Sequence, residues 1–147
     1  MEHIEFTYTG GMDQDTVEAY LDDHRFGVLS LARDGEAYGI PVAYHWRDGS
    51  LLLRLGEHEG SKKVAFIEST DTASFVLYGA DPPEESWSIL ITGTIEPLPD
   101  EAAESLDEAT INRLFVPLRV FDEPIEDIET GLYRLTIDEI TGRKAVE

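Results

Sequence analysis

Residues 26–63 read FGVLSLARDGEAYGIPVAYHWRDGSLLLRLGEHEGSKK, and the way this stretch alternates decides the fold. Leu29 and Leu31 share one face of a first strand over Gly27–Ala32. Asp34-Gly35 is a hairpin-turn dipeptide, because both residue types accept the positive φ that a tight turn demands. Beyond it, Tyr38, Ile40, Val42 and Tyr44 fall on one face of a second strand, with Ala37, Gly39, Pro41 and Ala43 on the other. The small residues of that second face leave room for a flat group to approach the backbone. Asp48-Gly49 marks the next turn and Leu51–Leu55 a third strand, which completes a three-strand meander. The stretch ends on Ser61, Lys62 and Lys63. A hydroxyl and two ammonium groups, with Arg54 shortly upstream, can hold a dianionic phosphate.

On the upstream side, Asp13 is placed to cap a helix over Gln14–His24 whose apolar face is Val17, Tyr20 and Leu21. Downstream, Ser61 is a candidate N-cap for a short helix over Lys62–Glu68, with Val64, Phe66 and Ile67 as its apolar members. Thr72–Tyr78 is a fourth strand and Trp87–Ile95 a long fifth one, with Trp87, Ile89, Ile91 and Ile95 facing one way. Asp100–Phe115 has helical spacing through Leu106, Ile111 and Leu114, and the prolines of Val116–Thr130 argue for a loop. Leu132–Ile140 alternates again as a last strand. Six hairpin-connected strands with peripheral helices predict a mainly β chain, a small antiparallel barrel in one domain over residues 1–147. Closure of such a barrel removes the exposed edges of its strands.

Charge sets further bounds. The 147 residues carry 31 Asp plus Glu against 11 Lys plus Arg, a formal net charge of -20. The acids are spread through every segment, and only three of the 11 basic residues are lysines. At about 1 M salt the Debye length falls to about 3 Å, which removes most of the self-repulsion of such a surface. The composition is therefore read as adaptation to a salt-rich cytoplasm, and nucleic acid and anionic membranes are poor partners. No run approaches the roughly 18 apolar residues of a membrane span, and the first residues lack the pattern of a signal peptide, so a cytoplasmic location is expected. There is no cysteine, which excludes disulfides, thiolate metal sites and a cysteine nucleophile. Of the four histidines, His3 and His24 are expected at the surface, and His45 and His58 in turns or loops without metal-ligand spacing. No nucleophile elbow or serine triad is present, so a catalytic residue is not assigned.

In this order and spacing, four segments carry a resemblance. They are GVLSLARDGEAYGIPVAY, LLLRLGEHEGSKK, SWSILITGTIEPL and LYRLTIDEITGRK. Together they resemble the pyridoxamine 5'-phosphate oxidase-like superfamily of FMN-binding split β-barrels, from about Leu21 to Lys144. The resemblance implies a homodimer with FMN in a cleft between the subunits. It implies Pro41, Val42 and Ala43 beside the isoalloxazine ring, and Arg54, Leu55, Ser61 and Lys62 or Lys63 at the phosphate. Two registers are open there, one using Gly60 and Lys62 and the other Ser61 and Lys63; the apolar positions of Val64 and Ile67 favour the second. Where related flavoproteins often carry histidine, this chain has Arg54. The implied activity is an FMN-dependent oxidoreductase acting on a small molecule. Readings that keep the fold are a deazaflavin or haem in place of FMN, or a flavin-binding dimer without turnover. Pyridoxamine phosphate oxidase itself is not expected, because only Arg143 and Lys144 stand where a substrate-binding arginine cluster is anticipated.

Overall fold

The computed structural model describes residues 9–47, 49–57, 62–80, 85–103 and 129–146. In chain order the elements are β1 (Thr9–Gly11), α1 (Gln14–Asp23), β2 (Phe26–Arg33), β3 (Glu36–Arg47), β4 (Ser50–Glu57), α2 (Lys62–Ser69), β5 (Ala73–Gly79), β6 (Trp87–Pro97), α3 (Asp100–Ala103) and β7 (Glu129–Ala145). Hydrogen-bonded neighbours run β1-β7-β4-β3-β2-β5-β6, and β6 also pairs with β7. Six antiparallel strands therefore close on themselves as a barrel, with β1 added beyond β7.

Alternation places the core where the sequence puts it. Leu29, Leu31, Ile40, Val42, Tyr44, Leu51, Leu53, Leu55, Phe75, Ile89 and Ile91 all point inward and are buried. The two tight turns take the conformations their residues favour: Asp34 and Gly35 have φ of 49° and 81°, and Gly49 has 78°. Asp13 caps α1, its Oδ1 accepting from the Thr16 N–H at 2.8 Å, and hydrogen bonding from Thr16, its side chain first and then its backbone, holds the carboxyl below the usual range.

The two helices stopper the barrel. Val17 and Leu21 of α1 enter the core at one end, and Phe66 and Ile67 of α2 enter it too. The link between α1 and the barrel is Tyr44, fully buried, whose hydroxyl donates to the Leu21 carbonyl at 2.8 Å. Burial pushes this phenol far above its ordinary pKa, so it stays neutral and donating at every working pH. Tyr44→Phe is expected to leave that carbonyl unsatisfied and to lower stability by about 1–1.5 kcal/mol. Urea denaturation at fixed salt measures it; an unchanged midpoint would mean water replaces the hydroxyl.

The structure departs from the sequence expectation in three places. β1 was not anticipated: Thr-Gly-Gly has no apolar pattern, and its pairing comes from residues 143–145 far along the chain. β7 is longer than Leu132–Ile140, because it serves three partners in turn. It pairs with β4 through residues 129–136, with β6 through 133–144, and with β1 through 143–145. A register shift at Thr92/Gly93 on β6 accompanies the change of partner. His45 lies within β3 rather than in a turn or loop, and His24 is half-buried, its Nδ1–H donating to the Tyr20 carbonyl at 2.7 Å. The expected helix over Asp100–Phe115 is described only for Asp100–Ala103; its remainder and the loop after it lie outside the described residues.

Candidate functional site

The meander does not stay paired along its length. The ladder between β3 and β4 covers only Ala43–Arg47 against Ser50–Arg54. Beyond Ala43↔Arg54 the two strands part: β4 continues beside β7, and the Glu36–Val42 half of β3 continues beside β2 alone. Backbone N–H and C=O groups must be paired or solvated. On the side facing β4, the Pro41 carbonyl and the N–H and C=O of Gly39 and Ala37 have no ladder partner among the described residues, starting beside Arg54.

The residues singled out for cofactor binding divide around this parting. Pro41 is exposed on the outer face. Val42 and Leu55 point into the core, 4% and 2% exposed, and their backbones pair away from the parting, with Gly27 of β2 and Gly131 of β7. Ala43 points outward but is covered, in a small cluster with Leu52 and Leu98 against which Ala102 and Leu132 pack. Arg54 stands directly across from Ala43 on β4, half-buried on the outer face. Lys62 is exposed and turns to the start of β3. Its Nζ is 3.2 Å from Glu36 Oε1 and 5.0 Å from the centroid of the Tyr38 ring. Glu36 and Ala43 are seven residues apart on one strand, about 23 Å at the usual rise. Ser61 lies outside the described residues, as do Gly60 and His58, and the Lys63 side chain is not described.

Register adds residues that sequence reading missed. His45 and Leu52 face each other one step from Ala43 and Arg54, and Leu52 in turn faces Arg134 of β7. Arg134 reaches Glu96 Oε1 through Nη2 at 2.5 Å, while its buried Nε has no partner among the described residues. Desolvation, then the charges of Arg47 and Arg25, hold His45 below its ordinary pKa, so it is neutral at neutral pH. The outer face of β3 and β4 thus carries Arg47 and Arg54, next to the Arg134–Glu96 pair on β7 and β6. Only a strand register could bring these residues together, and no local motif signals it.

A second feature adjoins the first. Phe26, Val28, Tyr78 and Leu90 are the large hydrophobics most exposed on the strands, at 56%, 37%, 68% and 51%. All four lie on the outer face of β2, β5 and β6. Val28 pairs with Pro41 on one side and Val76 on the other, and Val76 pairs with Leu90. Their outward neighbours are Ser30, Ser74, Ser88, Thr92, Gly39 and Pro41. None of these residues is charged, in a chain that is 29% charged.

Among the described residues no helix is long and apolar enough to cross a membrane, and no group of His, Asp or Glu could hold a metal ion. Trp87 is half-buried against Tyr20 and His24, with ring centroids 4.6 and 4.5 Å away.

The family model described as pyridoxamine 5'-phosphate oxidase matches residues 13–144. No curated protein matches the chain. Among solved structures, an FAD-binding protein from Mesorhizobium loti is similar with a TM-score of 0.68 and 19% identity, over 97% of this chain and 100% of that one. The FAD binding protein from Mycobacterium smegmatis has a TM-score of 0.68 and 18% identity, over 94% and 100%. The FAD and haem binding protein from the same organism has a TM-score of 0.66 and 17% identity, over 95% of this chain and 74% of that one. At these identities the structures share the barrel. With the family model spanning nearly the whole sequence, the chain belongs to the pyridoxamine 5'-phosphate oxidase family.

Proposed function

We propose that this protein is an FMN-binding flavoprotein, an oxidoreductase on a small molecule, working as a homodimer with the cofactor between the subunits. The observation that carries the reading is the parting of β3 from β4 at Ala43↔Arg54. It leaves the Pro41 carbonyl and the Gly39 N–H and C=O without a ladder partner among the described residues, on the same outer face as the Arg54 guanidinium. A flavin needs those groups: a slot edged by hydrogen-bonding backbone for the ring, and a cationic end for the phosphate. The uncharged face carrying Val28 and Leu90 runs up to Pro41, so a second copy seated there would close the slot from outside. Pro41 supplies the apolar contact and a carbonyl, with the Gly39 backbone next to it, while Val42 and Ala43 hold the strand in place through their ladders to β2 and β4. Lys62 is engaged with Glu36, which favours the register in which Ser61 and Lys63 join Arg54 at the phosphate. Bound flavin supplies the redox chemistry; the chain supplies position, a dry slot and the charge that holds the phosphate. Names of similar structures include FAD and haem, so the identity of the group is part of the test.

The protein purified in concentrated KCl should be yellow, and the released cofactor should co-chromatograph with FMN rather than FAD, a deazaflavin or haem. Replacing Lys62 and Lys63 together by Ala should weaken FMN by at least about 30-fold, the scale of one to two charge-assisted hydrogen bonds. Riboflavin, which lacks the phosphate, should be almost unaffected. A colourless protein that takes up no added FMN would end the reading, and equal losses for both ligands would mean that the lysines act through folding.

A further inference from the structure

A second cavity lies away from the flavin face. The stopper helix α1 does not fill the mouth of the barrel it closes. Between it and the far part of β7 remains a cavity of about 600 Å³, within the range of small-ligand sites, roughly 300–1,000 Å³, which favour barrel mouths. Its walls are Met12, Val17, Leu21, Trp46 and Ile140, with Gln14, Glu18 and Arg143 as polar groups. It uses none of Pro41, Ala43, Arg54 or Lys62. We infer that this cavity binds a small aromatic cation.

The walls are set rather than loose. Gly142 lets Met12 and Val17 close on β7: a Cβ there would lie 2.8 Å from Met12 Sδ and 3.0 Å from Val17 Cγ2. The Met12 N–H donates to the Gly142 carbonyl at 2.8 Å, and the Tyr44 hydroxyl fixes the other end of α1. Trp46 is half-buried on this wall. Among the described residues its ring meets no other aromatic ring and its indole N–H no acceptor. Tryptophan gives the strongest cation–π face.

Charge selects the ligand. Gln14 and Glu18 stand one helical turn apart, on one side of α1. Arg143, the one cation of the lining, is tied to β1, its Nε donating to Thr9 Oγ1 at 2.9 Å and its Nη2 to the Thr9 carbonyl at 2.6 Å. Glu18 is therefore the ionic group without such a tie among the lining residues. The field of a chain at -20 repels anions from the mouth and draws cations to it. An aromatic ring against Trp46 and Met12, with its positive end toward Glu18, meets each of these conditions.

Benzamidine and its uncharged analogue benzamide are the probes, titrated by calorimetry into the full protein. Benzamidine should bind once per chain and saturably, and more tightly than benzamide. Glu18→Gln should weaken benzamidine about tenfold, the scale of a charge-assisted hydrogen bond, and leave benzamide unchanged. Gly11→Ile is the second variant, because Gly11 lines the cavity and a Cβ added there meets no atom within 4 Å. It should keep the thermal midpoint and abolish binding. Absence of saturable heat, or binding unchanged in both variants, overturns the inference. The Lys62/Lys63 double variant should bind benzamidine normally, so this site and the flavin reading fail independently.

Discussion

Gly93→Ala should be the most damaging single-methyl change in this barrel. A Cβ at residue 93 would lie 2.1 Å from the Thr136 carbonyl oxygen and 3.2 Å from the Ile137 Cα. Both obstacles are backbone of β7, so no rotamer change relieves them. The contact occurs where β6 and β7 change register: Thr92 pairs with Glu139, but Gly93 pairs with Ile137, leaving Asp138 as the extra residue. There β7 bends from β4 toward β6, and the strands can cross so closely only if one of them has no side chain. Overpacking a core costs about 1–3 kcal/mol when side chains can yield; here the backbones must separate, and at least about 3 kcal/mol is expected. For a chain of this length that is a fall of about 10 °C in thermal midpoint. Gly11→Ala is the control, since nothing lies within 4 Å of the added methyl. If the Gly93 variant loses under about 1 kcal/mol, within the ordinary range of surface changes, the two strands do not meet this way and the barrel is not closed across the bulge.

The second large effect is salt. The chain carries -20, and its core is that of one small barrel, so stability is a modest difference between large terms. At about 0.1 M salt the Debye length is about 10 Å and neighbouring carboxylates feel one another; at about 1 M it is about 3 Å. The thermal midpoint should rise by on the order of 10 °C between about 0.1 M and about 2 M KCl, with assembly rising in parallel. Docking two chains of -20 adds repulsion to that within each, so the proposed dimer through the uncharged face of Val28, Tyr78 and Leu90 is expected only when charge is screened. Light scattering along the same KCl series tests this. Sucrose is the comparison, because it favours burial without screening. An equal response to sucrose, or a midpoint flat in KCl, would show that repulsion does not limit the fold.

Most of the barrel was legible because its signals are local. Asp34-Gly35 and Asp48-Gly49 dictate turns, and Tyr38, Ile40, Val42 and Tyr44 dictate which face is inward. What stayed hidden depends on partners distant in sequence. Thr9–Gly11 becomes a strand only because residues 143–145 lie beside it. The pairing of Lys62 with Glu36 at 3.2 Å is set by the fold and has no local signal in the sequence. Ala43 reads as a small residue on an open face, yet Leu98 and Leu132 cover it. That Pro41 and Arg54 share the outer face of the meander was legible. The parting of β3 and β4 was not, because a strand pattern says which face is buried and not where a ladder ends.

One strand, β7, satisfies the edges of β4, β6 and β1 together, and it follows all of them in the chain. During synthesis on the ribosome, the earlier hairpins must therefore wait with two raw edges open until the final stretch emerges. That interval is when such a polypeptide is most prone to pair with a stranger. The dense negative charge that strains the finished protein in dilute buffer would keep those half-made barrels apart from one another.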